Sequence, residues 1–216
     1  SDIKIGDSDE IIGLTAEQKD DFIESYYNEG LVYGDNQMYT MPLNKSTEVL
    51  YYDKTFFDKH GLKVPTTWDE MEETMLKIVE IDPTCVPLGY DSEANWFITM
   101  CEQYGSPYTS AEEGKNFLFN NDTNKAFMKE FKEWYDKGYV TTEETFGTYT
   151  SDLFTVTDQK KIKAFMCIGS SGGASYQCPD QLPDQSYPFE VGVAMIPQEN
   201  PAEPTMISQG PNLCLF

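Results

Sequence analysis

An apolar run at Lys163–Ile168 leads directly into Gly169-Ser170-Ser171-Gly172-Gly173, three glycines around two serines. A P-loop cradle needs a lysine after its last glycine, and none follows here; the dinucleotide pattern GxGxxG is also unmatched. A nucleophile elbow needs GxSxG, and Gly169, Ser171 and Gly173 do fall in that register. Its general base would have to be His60, the only histidine, which lies far upstream and out of the order nucleophile, acid, histidine. Serine-hydrolase chemistry is therefore not expected. Two readings remain open: a glycine-rich turn whose backbone N–H groups and hydroxyls hold a ligand's oxygens, or a tight connection that binds nothing.

Other candidate chemistry is thinner. With 37 Asp and Glu, carboxylate pairs occur throughout, so spacing nominates no acid and base, and no catalytic residue is expected. Asp7-Ser8-Asp9-Glu10 lacks the glycine and distal Glu of a calcium loop and reads as a solvated turn. His60 closes a short helix at Asp58-Lys59-His60-Gly61, where a cation at the helix end is favourable, so a capping role is expected. Cys85, Cys101, Cys167, Cys178 and Cys214 are widely spaced with no CxxC pair, which predicts free thiols and neither zinc nor a disulfide framework. No metal site and no cofactor are expected. Trp96 stands beside Asn95 at a helix start, where an indole can stack on a sugar face; Trp68 and Trp134 lie on apolar stripes and read as core.

The 216 residues carry a net charge of −22, and all 15 basic residues are lysines. Such a surface repels phosphate backbones and anionic lipid, so no nucleic-acid partner is expected. No apolar run approaches the roughly 20 residues of a membrane span. The chain opens at Ser-Asp-Ile-Lys-Ile-Gly without a leader pattern and closes on the apolar Asn212–Phe216, which reads as the beginning of a strand. A piece of something longer is the expectation.

Capping and periodicity predict one helix over 15–29, extended chain over 38–52 interrupted by Pro42 and Asn44–Thr47, and a short helix over 54–59 stopped by Gly61. Thr67 and Glu70 stand at capping-box spacing before a stripe of Trp68, Met71, Met75, Ile78 and Val79. Further helices are predicted over 96–104 and 123–137, and strands over 164–168 and 189–196. The unbroken apolar run Val49-Leu50-Tyr51-Tyr52 suits a strand covered on both faces. Alternating helices and strands give an α/β layered domain.

The segment Met41-Pro42-Leu43-Asn44-Lys45-Ser46-Thr47-Glu48-Val49-Leu50-Tyr51-Tyr52-Asp53-Lys54, then Phe57, Gly61-Leu62 and Pro65-Thr66-Thr67-Trp68-Asp69-Glu70, resembles the family 1 extracellular solute-binding proteins, the maltose-binding-protein-like receptors of ABC importers. The similarity continues through 127–138, 163–173 and Val191–Pro197. It implies one lobe of a type II periplasmic-binding-protein fold, a mixed sheet flanked by helices, present as a fragment. Residues 1–40 would be a remnant of the first lobe, irregularly packed; 41–48 an inter-lobe crossing, 49–205 the second lobe, and 206–216 the crossing back. The implied function is capture of a sugar or oligosaccharide between two lobes for delivery to the permease of an ABC importer, by a monomer, without chemical change. A glycerol-3-phosphate or other polyol-phosphate receptor is the second reading, and a carbohydrate-active enzyme the third. The family's loop after this strand faces the cleft, so Gly169, Ser170, Ser171 and Gly172 are implied ligand contacts, with Lys45, Ser46, Thr47, Asn95, Trp96 and Tyr149; Tyr176 is a further candidate platform. Location outside the cell, as a surface lipoprotein or a periplasmic protein, is also implied.

Overall fold

The computed structural model describes residues 3–4, 11–32, 37–110 and 112–214. The turn expected at Asp7–Glu10 lies outside them. Two compact units divide the chain, Ser1–Ser46 with Ser208–Phe216, and Thr47–Ile207.

In the smaller unit, β1 (Ile3–Lys4) pairs antiparallel with β2 (Ile11–Ile12). The single helix predicted over 15–29 is two short ones, α1 (Ala16–Asp20) and α2 (Glu24–Asn28). The Thr15–Gln18 capping box forms as expected, but neither helix has a buried residue, and helices this short need packing to propagate. Phe22, in the break, turns its ring to Tyr27 at 6.0 Å between centroids. β3 (Thr40–Pro42) completes this part of the chain.

The larger unit is built on β4 (Ser46–Asp53), β5 (Leu88–Tyr90), β6 (Val140–Thr142), β7 (Met166–Ser170) and β8 (Val191–Ala194), arranged β6-β5-β7-β4-β8. β5 runs parallel to β6 and β7, whereas β4 is antiparallel to β7 and β8. Side chains alternate across β4: Leu50 and Tyr52 join the cluster of Met71, Met75, Leu88, Met166 and Ile168, and Val49 and Tyr51 join Phe154, Cys167 and Phe189 on the other face. That is why Val49–Tyr52 shows no polar alternation: both faces of the strand are covered.

Helices α3 (Lys54–His60), α4 (Trp68–Ile81), α5 (Glu93–Gln103) and α6 (Asp122–Asp136) accompany the short α7 (Glu143–Phe146) and α8 (Ser151–Phe154). Gly61 ends α3 at φ 64°, a left-handed conformation that glycine adopts without strain. Thr67 accepts from Glu70 N (3.2 Å), but the Glu70 carboxylate turns to Thr66 N and Oγ1 (both 2.7 Å), so the expected capping box is not reciprocal. Ser92 caps α5 and moves its start ahead of the predicted Trp96. The chain returns through β9 (Ser208–Gln209) and β10 (Asn212–Cys214), and β10 pairs antiparallel with β3. The terminal segment therefore has a strand partner, which sequence reading did not anticipate. All five cysteines are free, Cys85, Cys101 and Cys167 buried, Cys178 and Cys214 exposed. Among the described residues no helix is long and apolar enough to cross a membrane, and no cluster of His, Cys, Asp and Glu could hold a metal.

Candidate functional site

The parallel strands β5 and β7 end side by side, and an open α/β sheet presents its ligand positions at such carboxyl ends. Asp91 follows β5 and its N–H donates to Ile168 O (2.9 Å), which ties the Asp91 turn to the end of β7. Ser170 closes β7 and its Oγ accepts from Gly172 N (3.1 Å), so Gly169–Gly173 runs from the strand end into a 3-10 turn (Ser171–Gln177) rather than an open loop. A side chain on Gly169 would run into the Asp91 carboxylate and come 3.3 Å from Gln177 Nε2; the glycine is there for close approach.

These segments enclose a cleft of about 570 Å³ within the larger unit. Tyr149 and Tyr176, 62% and 76% exposed, offer two rings. Thr148, Ser151 and Ser170 line it with hydroxyls, Asp91 and Asp152 with carboxylates, and Gln177 with an amide. Among the described residues, no lysine lines it. Asp91 Oδ1 accepts from Thr150 N (2.8 Å) and Thr150 Oγ1 (2.7 Å), and Asp152 Oδ2 accepts from Thr148 Oγ1 (2.9 Å). Burial raises the Asp91 pKa above the usual carboxylate value; the Thr150 bonds oppose this and the Asp152 charge adds to it. Behind the cleft, Cys167 Sγ contacts Thr150 Oγ1 at 3.2 Å, and burial pushes its thiol up to about 12, so it is an inert packing group.

The expected site residues separate into groups. Tyr149 and Ser170 line the cleft. Gly169 supports Asp91, and Gly172 and Ser171 shape the 3-10 turn, with Ser171 Oγ accepting from Thr47 N (3.1 Å). Thr47 Oγ1 donates to Ile207 O (2.8 Å). Asn95 donates to Glu48 Oε1 (3.0 Å), whose Oε2 accepts from Tyr90 OH (2.8 Å); this carboxylate is buried with no ion-pair partner among the described residues, and burial raises its pKa. In the smaller unit, Lys45 is paired with Glu29 and reaches Gly210 O (3.4 Å), while Ser46 Oγ donates to Gln209 Oε1 (3.3 Å).

Trp96 requires a correction: it is 3% exposed and packs against Phe127 and Phe131, ring centroids 5.7 and 4.1 Å away, so the indole is core and has no open face for a sugar. Its helical spacing to the buried Met100 was the signal for that. Asp91, Asp152 and Gln177 were not anticipated, since only tertiary structure gathers them. His60 ends α3 against Phe56 (4.5 Å) and lines a separate cavity with Leu62–Thr66, so Ser171 has no histidine base.

Fold and cleft together describe an α/β protein with a ligand-sized recess at the strand ends. In solved structures the fold recurs in maltose-bound MalE3 of T. maritima (17% identity, TM-score 0.64, 87% of this chain and 47% of that one) and in UgpB of Mycobacterium tuberculosis in complex with glycerophosphocholine (18%, 0.66, 91% and 47%). The multiple sugar-binding protein of Streptococcus mutans is 44% identical over 55 residues, 26% of this chain and 12% of that protein. The chain spans about half the length of the solved structures it matches. The family model described as bacterial extracellular solute-binding protein matches residues 3–216, and the chain belongs to that family.

Proposed function

We propose that this protein is the substrate-binding component of an ABC importer and captures a carbohydrate, with 49–205 acting as the second of two lobes, 41–48 and 206–216 as crossing segments, and 1–40 as part of the first. The observation that carries the reading is the cleft: two exposed tyrosine rings beside hydroxyls and carboxylates, the mix of apolar face and hydrogen-bonding groups that a sugar ring requires. The sugar-binding name of the Streptococcus mutans relative supports it. The solute is handed unchanged to a membrane permease, and the protein works outside the cytoplasmic membrane, as a lipoprotein or in a periplasm, as a monomer.

A polyol-phosphate receptor ranks second. A phosphate site calls for cations, and Lys45, the lysine expected to supply one, is paired with Glu29. A carbohydrate-active enzyme ranks third; it needs an acid and a base or nucleophile carboxylate set at a defined separation about the scissile bond. A thermal-shift screen of the protein with maltose, maltotriose, other neutral oligosaccharides and glycerol 3-phosphate tests the order. A rise in Tm with a neutral sugar is expected; a rise with glycerol 3-phosphate alone would reverse the first two readings, and turnover of a bound oligosaccharide would promote the third.

A further inference from the structure

The chain passes between its two compact units twice, at Ser46–Thr47 and at Ile207–Ser208. Thr47 Oγ1 donates to Ile207 O (2.8 Å), so one side chain clasps the two passages. In the smaller unit Ser46 Oγ donates to Gln209 Oε1 (3.3 Å) and Lys45 Nζ to Gly210 O (3.4 Å), which joins the same two segments further along. Thr47 differs from both of these residues: its N–H also donates to Ser171 Oγ (3.1 Å), 124 residues away in the turn that borders the cleft.

That turn has two sides. Ser170, Gly173, Tyr176 and Gln177 line the cleft, while Ser171, between them, does not, and its oxygen accepts from Thr47 instead. A 3-10 run rarely exceeds three or four residues, because its hydrogen bonds are poorly aligned, and Ser171–Gln177 is seven residues long. Such a stretch depends on anchors outside itself. Tyr51 OH donates to Ser170 O (3.0 Å), Ser170 Oγ accepts from Gly172 N (3.1 Å), and Thr47 holds Ser171. Tyr51 is buried and stays with the sheet. Thr47 stands near the start of β4, where the chain leaves one unit for the other, and is the anchor that a bend at that point would move.

We propose that Thr47 is a positioning residue that couples the cleft to the crossings: a solute seated against Ser170 and Gly173 fixes the turn, the turn holds Thr47 through Ser171, and Thr47 holds Ile207. Ordering of the turn and bending at the two passages are then one step. The proposal rests on the solute-binding reading above, and it places Ser171 behind the solute rather than in contact with it. A neutral hydrogen bond is worth a factor of about two to ten in an equilibrium. Linkage makes the effect reciprocal, so whatever loosens one end loosens the other.

Hydrogen exchange read by NMR on the protein without solute tests the coupling. Thr47→Val removes the bond to Ile207 and keeps the N–H that holds Ser171; Ser171→Ala does the converse. Each variant is expected to speed exchange on the far side as well as the near one, Thr47→Val in the Gly172–Gln177 amides and Ser171→Ala in those of Ser208 and Gln209. The expected change is about two- to tenfold relative to the core amides of Leu50 and Ile168. Thr47→Ser keeps the hydroxyl and should restore parental exchange in the turn. A change confined to the near side in either variant, or a Thr47→Ser protein that exchanges like Thr47→Val, overturns the coupling and leaves two unconnected structural bonds. In calorimetry with maltotriose both variants should bind about two- to tenfold more weakly, and a parental Kd in both would equally overturn it. Failure of the parent to bind maltotriose bears on the carbohydrate reading alone, and exchange then decides the coupling.

Discussion

Gly89→Ala separates two physical expectations of opposite sign. Gly89 sits in the middle of β5 with no positive φ, and an alanine that fits there would stabilise by about 0.4–1 kcal/mol through the unfolded chain. The added methyl, however, would stand 2.5 Å from Thr150 Cβ and 2.6 Å from Thr150 Oγ1. Ordinary carbon contacts lie at about 3.5–4.0 Å, so Thr150 must retreat by roughly 1 Å or more. Thr150 is wholly buried and cannot swing into solvent. A retreat of that size takes its bonds to Asp91, now 2.8 and 2.7 Å, beyond hydrogen-bonding range. Overpacking costs about 1–3 kcal/mol, and bonds to a charged group contribute about 1.5–3 kcal/mol, so a net loss of roughly 2–4 kcal/mol is expected. At about 2–4 °C per kcal/mol for a chain of this size, Tm should fall by roughly 4–16 °C in a calorimetric scan. Sugar affinity should fall at least about tenfold as Asp91 loses its fixed orientation. Gly173→Ala, with nothing within 4 Å of the added carbon, is the matched control for the Tm change alone, since Gly173 lines the cleft. A Gly89→Ala protein with unchanged or higher Tm and unchanged affinity would refute the steric chain from β5 through Thr150 to the cleft.

Glu48 has a folded pKa raised by burial, so its contribution to stability is present below the unfolded value and is lost as pH rises through the folded one. With Tyr90, Asn95 and Asp91 as its neighbours, Glu48→Gln should therefore gain Tm relative to the parent as pH rises from about 4.5 towards 7; a constant difference across that range would contradict the assignment. Tyr149→Ala should leave Tm within about 1–2 °C, because the ring is 62% exposed, and weaken sugar binding about three- to tenfold, the worth of one aromatic contact; unchanged affinity would remove Tyr149 from the site. Trp96→Ala should cost about 3–5 kcal/mol as a core truncation, and unchanged stability with lost binding would restore the stacking role that burial argues against.

Legibility in the sequence followed the range of the interactions. Val49–Tyr52 announced a doubly covered strand because each side chain meets a core on its own side, and the Thr67 cap with the stripe to Ile78 announced α4, since both signals are local. β5 and β6 were missed: with three residues each they are too short to show alternation. Local pattern also misled at 15–29, where a true capping box was extended into a helix that no packing sustains. The residues of Gly169–Gly173 left a ligand turn and a tight connection open, and only the family resemblance turned the loop towards a cleft; Asp91 beside it could not be read, since Thr150 reaches Asp91 across 59 residues of sequence and neither carries a motif. Trp96 failed for a different reason. Polar neighbours at a helix start suggested a surface indole, while its spacing to Met100 placed it on the buried stripe.

The charge balance bears on recognition differently from how composition alone suggests. An excess of acid says little about a site when lysines can gather locally, and here they do not gather at the cleft. Lys54 is bonded to Asp58, Lys132 to Asp136, Lys163 to Asp53 and Lys45 to Glu29, so cations that might have drawn in an anion are already held by carboxylates elsewhere. The cleft keeps Asp91 and Asp152 without a lysine partner among the described residues, and Asp91, after β5, is buried enough to weaken screening by salt. An anionic solute would meet repulsion both at long range, from a net charge of −22, and at contact. A neutral sugar meets neither penalty. On the carbohydrate reading proposed above, exclusion of phosphorylated solutes would need no residue dedicated to rejecting them; the unneutralised acidic cleft would suffice.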